Sequence, residues 1–428
     1  MKMKLQICAA IAVLALLLAA PSSANADAVG DWNAIAVQAT ITGARPGPTG
    51  ILDIAMVQAA VYDAVQAIEQ DFKPYHVEIP GASGSPIAAT AKAAHDVLVS
   101  RFPAQTMALD TAYHNYLAAN FIPEDDPGVA VGATAAAGII ALRANDGSFP
   151  NPAPPPFVGG TGVYVWRPTP PAFAPMLAPW LGNVTPFTLR SPSQLLATPP
   201  PDINGPEYTR DYIEVKALGA LNNSTRTAEQ TDLAHFWNSN YVVLWNTVLR
   251  NLAAARVDNI SDSSRLFALA DMSMADAIIT AWNNKIIYVS WRPITAIREG
   301  DNDGNPRTTG DAAWLPLIPT PPYPDHTSGA NNITAAATQS FELFFTGRPI
   351  PFSVTTTNPG PTQMDTRTFR RFSDAQDEVV NARIYEGIHF RFADEPARKQ
   401  GRKVAQWAFS HFFRPLGEQG GDNGDNDN

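Results

Sequence analysis

SSRLFALADMSMADAIITAWNNKIIYVSW, residues 263–291, follows Asp262 and runs to Trp291 before Pro293 ends it, because proline brings no amide hydrogen and clashes with the preceding helical turn. It is the longest candidate helix of the chain. Upstream, from Trp32 to about Asp146, Ala-rich segments of roughly 3.6-residue period predict helices over 51–70, 86–101, 104–121 and 127–145, the last stopping at Asp146-Gly147. The pattern resumes over 207–221, 228–236 and 241–255, and downstream over 331–345, 373–387 and 395–413, with a Pro/Thr loop following Phe345. Strand signals are scarce. The expected fold is therefore mainly α: one helical-bundle body over 27–415, with N-terminal helices in 31–147 and the chemistry in 207–415.

Composition agrees with a globular body. Hydrophobic residues make up 45% and charged residues 16% of the 428, which excludes a largely disordered chain. Residues 150–205 differ, with proline recurring in NPAPPP, RPTPPAFAP and TPPPDINGP, a composition that resists helix and strand interiors. Trp166, Phe173 and Trp180 in that stretch call for a surface to cover, so it is expected to be an ordered wrap over the helices, shaping a substrate entrance.

At the amino terminus, Lys2 and Lys4 precede an apolar run over 7–20, and Ala24-Asn25-Ala26 supplies small residues for cleavage. This reads as a signal peptide over 1–26 and an exported protein, periplasmic or extracellular. The run is shorter than the ~20 residues of a bilayer span, and no later segment is expected to span a membrane. Cys8 is the only cysteine, so the mature chain has no disulfide and relies on packing. Loss of Lys2 and Lys4 leaves 28 basic against 40 acidic residues, a net charge of −12, which argues against a nucleic-acid partner. The tail over 416–428 is polar and acidic and is expected to be disordered. Oligomeric state is not legible.

Three short stretches carry chemistry. Lys285 and Arg292 are seven apart, nearly two helical turns, which on one helix places both cations on one face. A solvated basic face is the ordinary reading of such a pair, but Ile286, Ile287, Tyr288, Val289 and Trp291 make these surroundings apolar. In PPYPDHTSGANN, residues 321–332, Ser328 and Gly329 stand where a proline-rich approach becomes an Ala-rich run. A helix start offers free amides and a positive dipole end to an anion, unless Thr327 or Ser328 is merely a cap. Arg383 and His389, in RIYEGIHFRFAD, would point ~120° apart on an unbroken helix; Gly387 permits the bend that would bring both to one ligand. A lone histidine beside Phe390 and Phe392 is more often a core residue than a ligand. Together, three cations, a helix start and an imidazole suit a tetrahedral oxyanion.

The same three stretches resemble the vanadium-dependent haloperoxidases and type 2 phosphatidic acid phosphatases, whose pattern is Lys, six residues, Arg-Pro; Pro-Ser-Gly-His; and Arg, five residues, His. Lys285 to Pro293 matches the first block and Arg383 to His389 the third, whereas the middle block matches only at Ser328-Gly329. Weaker similarity in MVQAAVYDAVQAI, LRANDG and DNDGNP is that of the bacterial haloperoxidase-like branch.

The resemblance implies that His389 bonds vanadium apically, or attacks phosphorus in a phosphatase. It implies that Lys285, Arg292, Arg383, Ser328 and Gly329 hold the oxygens of vanadate or phosphate. It further implies hydrogen peroxide and halide, or a phosphate ester, as small-molecule substrates. The leading expectation is a peroxidase of the haloperoxidase family. An exported phosphomonoesterase working through phospho-His389 and a non-catalytic oxyanion binder are the alternatives. Ala330 stands where the family places its acid/base histidine, and a methyl group moves no proton. Asp325 and His326 are the candidate auxiliary groups, His326 more simply as a brace for the loop. Asp301 and Asp303 resemble the start of a calcium loop, yet the required glutamate is missing, and a solvated turn is expected.

Overall fold

The computed structural model describes residues 28–346, 348–358 and 365–417; the expected leader over 1–26 and the tail from 418 onward lie outside them. Helix starts follow local sequence. After α1 (Ala28–Thr42) and α2 (Gly50–Glu69), α3 (Pro86–Arg101) opens with Ser85 Oγ accepting the Ala88 amide at 3.3 Å. α4 (Thr106–Ala119) leads to α5 (Pro127–Arg143), whose N-cap Asp126 accepts the amides of both Gly128 and Ser85 at 2.8 Å, so one carboxylate ties two helix starts together. α6 (Pro206–Leu218), α7 (Ala228–Trp237, with a capping box between Thr227 and Gln230) and α8 (Tyr241–Arg256, capped by Asn240) follow.

α9 (Ile260–Tyr288) is the axis of the body. Every residue from Leu266 to Trp282 is buried, as expected of a helix surrounded on all sides, and α9 packs against α2 and against two later helices, α11 (Gly329–Phe344) and α13 (Arg391–His411). Between them lie α10 (Pro293–Arg298) and α12 (Phe372–Tyr385). One apolar cluster runs from Ala28 to Phe413, and a smaller one joins Tyr208, Tyr212, Trp291, Ile294, Phe390 and Phe392. α2 is long and apolar enough to cross a membrane, contrary to the expectation that no later segment is, but 89% of its apolar window is buried inside the body, and it serves as a core helix.

Two sequence expectations need correction. The helix expected to reach Trp291 ends at Tyr288: Val289 adopts a left-handed conformation with φ of 45°, and Arg292 is extended ahead of Pro293, where α geometry is disfavoured. The competing partner is the proline-rich stretch, whose Trp166 amide donates to the Val289 carbonyl at 2.7 Å while the Trp291 amide donates to Tyr164 at 3.1 Å. The expected Pro/Thr loop contains an antiparallel hairpin, β1 (Phe352–Thr355) with β2 (Thr366–Phe369), closed by Phe352 stacked on Phe369. Strands of four residues are too short for alternation to announce them.

The 150–205 stretch is ordered without regular elements except a short 3₁₀ turn, Pro179–Asn183. Trp166 is fully buried and stacks on Phe157, whereas Phe173 is 63% exposed. The wrap is pinned by buried Asp276 of α9, which accepts the amides of Phe187, Thr188 and Leu189 and the Thr188 hydroxyl at 2.6–3.1 Å.

α11 and α13 approach so closely at Gly401 that a Cβ there would stand 2.3 Å from the Asn332 carbonyl oxygen and 3.0 Å from the Ala335 Cβ. Since backbone cannot yield as a side chain does, Gly401→Ala is expected to lower the unfolding free energy by about 2–3 kcal/mol. Urea denaturation measures this; an unchanged midpoint would show that the helices part freely.

Candidate functional site

Where the two apolar clusters meet, the chain buries seven ionisable side chains: Lys285, Arg292, Asp325, Arg383, Glu386, His389 and Asp394, each at most 7% exposed. Unpaired charges at such depth are costly, so their partners decide what the place can do.

Lys285 lies in the last turn of α9 and Arg292 caps α10, so the two cations converge across a turn rather than along one helical face. Both grip the loop before α11. Lys285 Nζ donates to the carbonyls of Pro324 and Asp325 at 2.7 and 3.0 Å, and Arg292 Nε donates to that of Tyr323 at 2.7 Å. The Tyr323 ring lies against both cations, 4.9 and 4.8 Å from its centre. Arg292 Nη1 donates to the Ile388 carbonyl at 2.6 Å, and Nη2 is buried with no partner.

The helix start expected at Ser328-Gly329 is present. Ser328 is the N-cap of α11 but makes no capping bond, so the bland reading of this serine as a helix cap does not describe it. Its amide donates to Ala393 and its Oγ lies 3.2 Å from Asn331 Nδ2. A Cβ on Gly329 would press on Ile278 and Trp282 at 3.1 Å, so glycine lets the start of α11 lie against α9. The bend expected at Gly387 is present too: α12 stops at Tyr385, Gly387 takes φ of +77°, and the chain turns so that Arg383 and His389 both join the cluster.

Arg383 pairs with Glu386 through Nη1 at 2.7–2.9 Å, and its Nε is buried without a partner. His389 Nδ1 stands 2.8 Å from Asp325 Oδ1, and its Nε2 faces Arg292 Nη1 at 3.2 Å. Burial, then Arg292, Lys285 and Arg383, hold the imidazole well below its ordinary pKa and hence neutral. Arg292 Nη1 lies within 3.4 Å of Nδ1 and 3.2 Å of Nε2, so a neutral ring can accept from it through either nitrogen.

Burial raises the Asp325 carboxyl to about 7, with Arg292 and Lys285 pulling it back. Asp394 is pushed well above the carboxylate range by burial and then by Asp325; Asn331 Nδ2 donates to its Oδ1 at 2.8 Å. Burial thus pushes both carboxyls toward the protonated form.

All six residues proposed from sequence for the oxyanion, Lys285, Arg292, Ser328, Gly329, Arg383 and His389, thus lie on the elements that meet here. His326 is turned away: its Nε2 bonds the Thr198 carbonyl at 2.8 Å and its ring meets Tyr288 edge-on, so it braces the loop against the wrap. Asp325 is inside the cluster rather than beside it. Sequence reading missed Glu386 and Asp394. Glu386 was detectable as an acid three residues after Arg383, on the same helical side; Asp394 carried no local signal. Asp301 and Asp303 form a turn closed by Thr308 and Gly310, and among the described residues no group of three His, Cys, Asp or Glu gathers as for a metal ion.

Comparison with known proteins bears on the fold. Residues 265–418 match the VCPO second helical-bundle domain. Vanadium chloroperoxidase of Curvularia inaequalis is 27% identical over 288 residues, covering 52% of this chain and 46% of that protein, so the chain spans about half the length of this curated relative. Among solved structures, a bacterial vanadium-dependent iodoperoxidase superposes with a TM-score of 0.78 at 22% identity, covering 94% of this chain and all of the other. The holo form of a bacterial vanadium-dependent chloroperoxidase gives 0.69 at 17% identity, with 85% and 92% covered. These likenesses share the fold.

Proposed function

We propose, from the likeness of this chain to the vanadium haloperoxidases, that it is an exported protein holding vanadate at the buried cluster. There it would use hydrogen peroxide to oxidise a halide or an organic substrate. The observation that carries this reading is the pair of buried donors without partners, Arg292 Nη2 and Arg383 Nε, beside the opening turn of the 16-residue helix α11. Donors buried in this way point to an absent acceptor, and a tetrahedral oxyanion fits them.

Vanadate, when bound, supplies the peroxide activation. The chain's part is electrostatic and positional. Arg292 and Arg383 would neutralise oxyanion charge, and the amide of Gly329 with the Ser328 hydroxyl would add directed hydrogen bonds. His389 offers a neutral imidazole nitrogen, with Asp325 Oδ1 2.8 Å from its Nδ1. Tyr323 covers Lys285 and Arg292, keeping water from the cations.

Ala330 favours a second reading, oxyanion binding without turnover. Metal-free protein supplied with vanadate, peroxide and bromide or iodide tests the first; absence of turnover at any halide, with vanadate shown to be bound, would leave binding alone. Ala330→His is expected to raise the halide oxidation rate by about 10–100-fold by restoring an acid/base group. Release of phosphate from a generic monoester, lost in His389→Ala, would instead identify a phosphatase.

A further inference from the structure

The acceptors in the cluster are as informative as the donors. Asp325 is fully buried; its Oδ1 lies 2.8 Å from His389 Nδ1 and 3.6 Å from Arg292 Nη1, yet neither Oδ1 nor Oδ2 has a hydrogen-bond partner. A carboxylate is an odd lining for a site built to hold an anion, because its oxygens repel oxyanion oxygens in a low dielectric. The oddity disappears for an anion that carries its own hydroxyl hydrogen.

Resting on the reading of this cluster as an oxyanion site, we propose that Asp325 is its specificity-determining residue. It would select a protonated tetrahedral oxyanion, of the phosphate, vanadate or arsenate class, over a fully deprotonated one such as sulfate. The ligand's O–H would donate to Asp325 Oδ2 while its remaining oxygens accept from Arg292 Nη2, Arg383 Nε and the Gly329 amide. Sulfate satisfies the donors equally well but leaves Oδ2 facing a like-charged oxygen, and sites whose buried polar groups are left unpaired reject a ligand strongly. Lys285 Nζ is a donor already bonded to two carbonyls, and Glu386 is engaged by Arg383; Asp394 also has an unpartnered Oδ2, but Asn331 holds its Oδ1 and burial pushes it well above the carboxylate range, which makes it the poorer acceptor.

The rival reading makes Asp325 an internal counter-ion that fills the cradle itself and is displaced by any anion. Calorimetric titration with inorganic phosphate and with sulfate at pH 8, where phosphate retains a proton and sulfate has none, separates the two. Wild type should bind phosphate at least about 100-fold more tightly than sulfate. Asp325→Asn, whose amide can donate to sulfate, should cut that ratio below about tenfold, chiefly through tighter sulfate binding. Near-equal wild-type affinities would overturn the proposal even if the variant fails to fold. A folded variant that gains equally for both anions would replace it with the counter-ion reading. If wild type bound neither anion, the oxyanion site itself would fall, and this inference with it.

Discussion

Alanine in place of His389 is expected to abolish vanadate-dependent halide oxidation and to weaken vanadate binding by about 100-fold, at the upper end of what losing even an outer partner costs a metal ligand. The imidazole is 1% exposed and neutral, and it lies between Asp325 Oδ1, 2.8 Å from Nδ1, and Arg292 Nη1, 3.2–3.4 Å from its two nitrogens. It is the one nitrogen in the cluster able to bond a central atom. Inorganic phosphate supplies the contrast. Held by arginines and amides without a bond from nitrogen, it should lose no more than about tenfold, the worth of roughly one hydrogen bond. Calorimetry on both proteins with both anions, after melting curves establish that the variant folds, makes the comparison. Equal vanadate affinities in wild type and variant would refute the assignment of His389.

The second large effect is structural. Asp276→Ala should destabilise the protein by about 4 kcal/mol, because four donors, three amides and a hydroxyl, would lose their acceptor in a buried place, each at ~1–3 kcal/mol with partial recovery by water. The loss should also be local. Residues 187–189 anchor the proline-rich wrap to α9, so the variant should be cut by protease within 150–205 before the helices unfold. A urea midpoint within error of wild type, together with unchanged proteolysis, would mean that proline stiffness and Trp166 alone hold the wrap.

Both experiments touch features of very different legibility. Helix positions were written locally. Residues 86–101 form the expected helix because Ser85 and Pro86 are good starting residues, and α7 begins where Thr227 and Gln230 make a capping box. The bend between Arg383 and His389 was also local, since Gly387 can take a positive φ that other residues resist. The end of α9 was not. Nothing in YVSWRP distinguishes a helix that continues to Trp291 from one that stops at Tyr288, because the deciding hydrogen bonds come from Tyr164 and Trp166, more than a hundred residues away in sequence.

The sequence by itself determined a mainly helical protein and the identities of the cations, the helix start and the histidine, because helix capping, periodicity and a fixed spacing are short-range properties. Tertiary structure alone decided the electrostatics. It brought Asp325 against His389 and Arg292, added Glu386 and Asp394, and turned His326 outward to Thr198. Burial and mutual distance set the charge states of these groups, and both arise only when separate helices pack. The sequence therefore named the groups that could hold an anion, and the packed structure placed among them the carboxylate against which that anion must be matched.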